Sequence, residues 1–443
     1  MPGPRVAPLL GEETLPPRVD AVIIGAGIIG ASTALELAER GLRVALCDKG
    51  GVSQEQSSRN WGWVRISRRD PREIPLMAVA TRLWPGLNAR TGHETGYRRS
   101  GILFACKDDE VYARYERWNE ELRPYEIESR MVDRAEFDRL MPGNGVAARG
   151  ALYTADDGRA EPQLAARAIV AKFQELGGVL LADCAVRGIE TAAGAVCGVV
   201  TERGPIACGS VVLAGGMWSR LFAGNAGLEL PQLGVINTAL RTTPVAGGPE
   251  QALWTGEFSL RRRMDGGVTI ASGTYNTVDI VPDSFRLAPA YLHALGAEWR
   301  SLRFRLEAEM LHQIARPRRW ALSDTSPFEY HRTLDPKPVR RIAETAFAHA
   351  RKRFPALEGA RIAQVWAGCM DVTPDAVPVI SAADAAPGFH IATGFSGHGF
   401  GIGPGAGRLM AQIVTGETPC VDPAPFRFSR FSDGSKNRMI AGF

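Results

Sequence analysis

Near the amino terminus, apolar residues come in short dense runs separated by polar breaks. Val19 to Ile24 is apolar at every place but Asp20 and rich in valine and isoleucine, which predicts a buried strand. Beyond a glycine cluster the apolar positions spread to helical spacing as far as Arg40. A second strand-like run, Leu42 to Leu46, then ends at Cys47-Asp48. Strand, helix and strand in about thirty residues predict a βαβ unit on a parallel sheet. Helices are expected over Leu76 to Thr91 and Asp108 to Leu122, with a strand from Gly101 to Ala105 between them. Asp133 and Glu136 form a capping-box pattern for a short helix ending near Met141. Gln163 to Leu176 reads as a helix opened by Pro162 and closed by Gly177. Strands follow at Val179 to Ala182, Val186 to Thr191, Val196 to Glu202 and Ser210 to Ala214. Ser259 to Met264 and Gly267 to Ser272 form a predicted hairpin, with Asp265-Gly266 as its turn. A polar, arginine-rich segment (Phe285 to Arg341), a helix (Arg340 to Phe354), and a strand (Phe389 to Gly394) running through glycines into a helix to about Thr415 complete the pattern.

The glycines between the first strand and helix carry chemistry. Gly25, Gly27 and Gly30 make a G-x-G-x-x-G in which the first turns the chain, the second lets backbone approach a pyrophosphate, and the third lets helix and strand pack closely. Ile28 and Ile29 open the helix, whose free N–H groups and partial positive charge suit phosphates. Asp48, with Lys49 beside it, stands where a carboxylate accepts hydrogen bonds from an adenosine ribose. The chain is expected to bind a dinucleotide at its amino-terminal end.

At 443 residues the chain exceeds one small core, so two domains are expected. The return of a buried strand at Ser210 to Ala214 suggests that they interleave. The net charge of +4 is too small to argue for nucleic acid, and 46 of the 52 basic residues are arginine, which fits a codon bias. Seven scattered cysteines without a C-x-x-C argue against a disulfide framework, a metal centre or a dithiol redox site. No run is long and apolar enough for a membrane span, and the first residues lack a secretory pattern, so a cytoplasmic enzyme is expected.

Further motifs separate the possible dinucleotides. Ser57-Ser58-Arg59-Asn60 follows the first unit and leads into Trp61-Gly62-Trp63-Val64-Arg65. Ala214-Gly215-Gly216-Met217-Trp218 closes a strand in mid-chain, Trp366-Ala367-Gly368-Cys369-Met370-Asp371 comes later, and Gly394 to Gly401 opens the last helix. In this order they resemble the FAD-dependent amine and amino-acid oxidoreductases, the family of D-amino acid oxidase, glycine oxidase, sarcosine oxidase and D-amino acid dehydrogenase. The resemblance runs from about Asp20 to Phe431. It implies an α/β fold: a Rossmann-type (GR2-like) FAD-binding domain over 15–70, 150–235 and 365–431, interleaved with an α+β substrate domain on a mixed or antiparallel sheet over 71–149 and 236–364. Residues 1–14 and 432–443 are then tails.

By the same resemblance Val186 meets the adenine, and Ser57, Ser58 and Asn60 wrap the pyrophosphate and ribityl chain. Trp61 and Gly62 pass the flavin ring, and Ala214, Gly215, Trp218 and Gly368 complete the cofactor site. Gly397, His398, Gly399 and Phe400 turn a helix N-terminus toward the flavin, where reduction builds negative charge. The implied chemistry is hydride transfer from the carbon beside an amine nitrogen, giving an imine that hydrolyses, with oxygen or an electron carrier as acceptor.

The chain departs from the pattern in places. Glycine and D-amino acid oxidases hold the substrate carboxylate with an arginine shortly after the W-x-G, where Cys369 and Met370 stand here. Arg65, Arg262 or the Arg261/Arg263 face of the hairpin are candidate replacements, because an arginine fork matches a carboxylate. Trp61 and Trp63 read either as core residues or as walls of an amine pocket, and His398 as a flavin or substrate contact. Cys369 stands one residue short of the spacing for covalent FAD attachment, so non-covalent FAD is expected. Threonine replaces the lysine that assists oxygen in sarcosine oxidases. His312, Tyr330 and His331 are candidate lid residues. A flavin monooxygenase and a FAD-holding subunit of a larger amine dehydrogenase are the alternatives; the subunit would have a heteromeric partner, and a homo-oligomer is otherwise open.

Overall fold

The computed structural model describes residues 3–384 and 386–440; Met1, Pro2 and 441–443, at the extremes of the expected tails, lie outside the described residues. β1 (Ala21–Ile24), α1 (Ile28–Glu39) and β2 (Val44–Cys47) form the expected unit. β1 lies parallel to β2 on one side and to Ser210–Leu213 on the other. Val179–Leu181 extends the sheet beyond β2, while Phe389–Thr393 and then the antiparallel Val379–Ala382 extend it beyond Ser210–Leu213. Segments far apart in sequence therefore meet in one six-stranded sheet, covered by α1, Pro162–Glu175 and Gly399–Thr415. α1 and the C-terminal helix cross at glycine: a Cβ on Gly407 would lie 2.4 Å from the Ser32 Cβ, and one on Gly403 would lie 2.7 Å from Ile28.

A second, ten-stranded sheet is mixed. Leu233–Thr242 pairs antiparallel with Ile362–Val372 on one side and with Val268–Ala271 on the other. Parallel pairing occurs where Ala252–Trp254 meets Ile102–Cys106 and where Asn276–Asp279 meets Leu302–Arg305. The expected boundaries at 236 and 365 fall inside strands of this sheet, and the one at 150 falls at the start of another. Two local expectations change. Pro85 splits the run from Leu76 to Thr91 into Ile74–Leu83, a tight turn Trp84–Gly86 and Leu87–Thr91. The hairpin closes through three residues rather than two, because the Arg263 N–H reaches the Gly267 carbonyl and Gly266 adopts φ 80°. The segment from Phe285 to Arg341 is structured, with helices at Ala288–Glu298 and Glu309–Ala315, and it leaves Phe285, Leu306 and Leu311 exposed.

Candidate active site

A cavity of about 520 Å³ opens at the carboxyl ends of the parallel strands, against the large sheet. Ligands of open α/β sheets bind at this edge, where loops leave the strands. Its wall draws on the glycine turn after β1, the 47–61 loop, Val186, the 213–218 turn, Gly368 to Asp371 and the start of the C-terminal helix. Phe104, Asn237, Trp254 and Ser272 close it from the large sheet.

The three motif glycines have different surroundings. Gly25 has φ 105°, and a Cβ there would lie 2.4 Å from the Ala214 carbonyl oxygen. A Cβ on Gly30 would lie 1.9 Å from the Gly25 oxygen, so this glycine seals helix against strand and does not reach the cavity. Gly27 faces open space apart from the Ser57 Oγ, 3.0 Å from where its Cβ would lie. That hydroxyl accepts from the Ile28 N–H at 2.9 Å, and Ile28 and Ile29 both line the wall. Asp48 is half-buried and accepts from the N–H groups of Ala26 and Gly50 at 2.7 and 2.8 Å. Burial raises its carboxyl above the usual range, and each oxygen retains capacity for a further donor. Lys49 pairs with Glu55 at 2.6 Å, over the Trp218 ring.

At the other end the wall is cationic. Arg65, Arg68 and Arg69 come from the loop after Trp63–Val64. Asp157 anchors that loop, accepting from the Ile66 N–H at 2.6 Å and from the Ser67 hydroxyl. Burial lifts the Asp157 carboxyl to about 6 against those hydrogen bonds. Arg69 donates to the carbonyls of Arg65 and His398, both at 3.1 Å, and its Nη1 is buried without a partner. Burial and the charges of Arg69 and Arg68 push Arg65 down to about 9. The His398 Nδ1 lies 3.0 Å from the buried Glu73 carboxylate, and its Nε2 has no partner. Burial, reinforced by Arg69, holds this imidazole at about 4, so it is neutral at ordinary pH. Nδ1 then donates to Glu73 and Nε2 is a free acceptor. Trp61 bonds Asn237 at 2.8 Å and meets Trp63 edge-on.

Of the residues singled out in the sequence, Gly25, Gly27, Ile28, Ile29, Asp48, Lys49, Ser57, Asn60, Trp61, Arg65, Val186, Ala214, Gly215, Trp218, Gly368, Gly397, His398, Gly399 and Phe400 all line the cavity. Four do not. Ser58 is buried and bonds the Glu55 carbonyl. Gly62, at φ 77°, packs where a Cβ would lie 2.6 Å from the Ala160 oxygen. Gly30 is the helix–strand seal. Arg262 points away from the site, because alternate strand residues face opposite sides; it bonds the Gly247 carbonyl at 2.5 Å and pairs with Glu250. Its neighbour Arg261 is a buried strut, paired with Glu161 at 2.8 Å and bonded to the Trp61 carbonyl at 2.7 Å. Arg263 pairs with Asp265. His312 and Tyr330 are exposed and off the wall, and His331 packs against Trp218. Arg68, Arg69, Glu73 and Asp157 escaped the sequence reading. The run Ser67-Arg68-Arg69-Asp70 directly after the tryptophans was the available signal.

Flavin adenine dinucleotide fits these residues. A glycine lacks a Cβ where a pyrophosphate passes, two helix N-termini open on one cavity, and buried donors and acceptors at the far end lack partners. Fold and site together define a flavoprotein. A family model described as FAD dependent oxidoreductase matches residues 20–413, and the chain belongs to that family. Glycine oxidase of Pseudomonas aeruginosa is 27% identical over 91% of this chain and 97% of its own length. Sarcosine oxidase subunit beta of Rhizobium meliloti is 24% identical over 97% of this chain and 92% of its own. L-amino acid deaminase from Proteus myxofaciens, solved in complex with anthranilate, superposes with a TM-score of 0.94 at 33% identity, covering 97% of each chain. The chain is a FAD-dependent amino-acid or amine oxidoreductase. Among the described residues no helix is long and apolar enough to cross a membrane, and no cluster of side chains suits a metal ion.

Proposed function

We propose that this enzyme oxidises the C–N bond of a small amino acid or secondary amine that carries a carboxylate. Bound flavin supplies the hydride acceptor for the carbon beside nitrogen, and the resulting imine is hydrolysed by water. The protein's own work is to hold and orient. The turn at Gly25 and Gly27 with the N-terminus of α1 receives the pyrophosphate, Asp48 the ribose and Val186 the adenine. The Gly397–Gly399 turn presents its helix N-terminus to the end of the flavin that gains charge. Cys369 lies on the wall, but burial pushes its thiol well up; an inert thiol agrees with non-covalent FAD.

The observation that carries the reading is Arg65, half-buried at the cavity beside two further guanidiniums and without a carboxylate partner. A half-buried cation in that state favours an anion, and the substrate carboxylate supplies it. The neutral His398 Nε2 is an acceptor beside it, and Trp61 and Trp63 give the amine an aromatic wall. The test is anaerobic mixing of the yellow holoenzyme with D- and L-amino acids, N-methyl amino acids and iminodiacids, following loss of the visible flavin absorbance. Bleaching by a carboxylated amine is expected, with Arg65→Ala costing about 2–5 kcal/mol in kcat/KM and Arg262→Ala costing nothing. Equal losses in both variants, or bleaching only by amines without a carboxylate, refutes the assignment. Reoxidation in air with release of hydrogen peroxide then separates an oxidase from a dehydrogenase that needs a carrier or partner subunit.

A further inference from the structure

The cavity holds more positive charge than one carboxylate neutralises. Arg69 is committed to two carbonyls, and Arg65 gives one N–H to the Ser67 carbonyl at 2.5 Å. Arg68 makes no hydrogen bond and no ion pair among the described residues. Its guanidinium is boxed by aromatic rings instead: 5.2 Å from the centroid of Phe104, 5.0 Å from Tyr115 and 4.9 Å from Trp254. Its backbone sits at φ 57°, a left-handed conformation that a bulky residue adopts only when its surroundings hold it there. The nearby acids make their contacts elsewhere: Glu73 faces His398, Asp157 anchors the loop, and Glu298 accepts from Ser301. The Phe104 ring lies against both free cations, 5.7 Å from Arg65 and 5.2 Å from Arg68, so a short chain spans them.

We propose that Arg65 and Arg68 form a receptor for two carboxylates, so that the preferred substrate is an amine bearing a second acid group, which Arg68 reads from within its aromatic box. The proposal rests on the C–N oxidation reading above and adds the substrate class to it. A monocarboxylate leaves one guanidinium without an acid partner, whereas a dicarboxylate satisfies both. The aromatic faces hold the Arg68 fork in place without competing for its N–H donors.

Glutarate and valerate, which match in carbon number and differ by one carboxylate, are redox-inert probes. Each is titrated into holoenzyme and followed by the shift in the flavin spectrum and by melting temperature. Glutarate is expected to bind roughly 10–100-fold more tightly. Arg68→Gln should abolish that preference and leave valerate within about twofold, while Arg68→Lys should restore part of it. Equal affinities in the native enzyme, or equal weakening of both probes in Arg68→Gln, overturns the receptor. A parallel arm compares flavin bleaching by glutamate and iminodiacetate with bleaching by norvaline and N-methylglycine. If no amine bleaches the flavin while glutarate keeps its preference, the receptor stands and the oxidation reading fails. If the monocarboxylates bleach it as well as the dicarboxylates do, the receptor fails and the oxidation reading stands.

Discussion

Two glycines three residues apart should fail in opposite ways when a methyl group is added. At Gly30 the new Cβ would lie 1.9 Å from the Gly25 carbonyl oxygen and 3.1 Å from its carbon. Both partners are backbone, so no rotamer change relieves the overlap, and α1 must move away from β1. Overpacking of this kind costs about 3 kcal/mol, against about 1 kcal/mol gained from replacing glycine in a helix. Gly30→Ala is therefore expected to destabilise even the apoprotein, by roughly 2 kcal/mol. At Gly27 the backbone is extended, with φ −72° and ψ 177°, which alanine adopts freely. Its nearest neighbour is the Ser57 Oγ at 3.0 Å, a hydroxyl that needs to give only slightly. Gly27→Ala should cost the apoprotein no more than about 1 kcal/mol, the usual difference at a helix N-cap. The methyl instead occupies the approach of the pyrophosphate, and FAD affinity should fall about 100-fold, near 3 kcal/mol. Apoprotein melting and FAD titration by quenching of flavin fluorescence separate the two effects. Native FAD affinity in Gly27→Ala, or equal losses of apoprotein stability in both variants, refutes this division of labour.

Other expectations follow from buried charge. Unfolded histidine takes up a proton below about 6.5, whereas His398 in the fold does so only near 4. Stability is therefore lost as pH falls from 6.5 toward 4, by about 3 kcal/mol in full. The stability gap between native protein and His398→Gln should narrow over that range in denaturant titrations, and a constant gap contradicts the buried neutral imidazole. Removing Glu161 strands Arg261, which is only 1% exposed; Glu161→Ala should cost about 3–5 kcal/mol and lower the melting temperature without FAD, and an unchanged melt refutes the strut. Acid precipitation should leave the flavin in solution from native protein and from Cys369→Ser alike; a yellow native pellet contradicts non-covalent binding.

What could be read from the sequence was local or periodic. β1, α1 and β2 stand within two residues of expectation because strand and helix periodicities and the glycine triplet agree with one another. The break at Trp84–Gly86 was less visible, since the apolar spacing continues through it; Pro85 decides, as it supplies no N–H to the helix. The boundaries at 236 and 365 cut two strands that pair with each other, Leu233–Thr242 and Ile362–Val372. Their register spans more than a hundred residues of chain, and no local pattern announces such a partner.

The arginines show where sequence reasoning runs out. Arg65, Arg68, Arg261 and Arg262 are chemically equal in a chain where nearly every cation is arginine, and only their partners separate them. Arg261 meets Glu161, Arg262 meets the Gly247 carbonyl and Glu250, and Arg65 and Arg68 meet no acid. An arginine that has found a carboxylate within the fold is already satisfied and works as a strut. One held at a cavity without an acid partner has its binding capacity left over, and that remainder is what a site offers to substrate. The hairpin arginines looked suitable because their spacing put three forks on one strand, yet strand alternation turned one of them away, and Glu161 claimed its neighbour. Arg68 was overlooked because its evidence is a deficit, the missing partner, which exists only once every neighbouring acid has been placed.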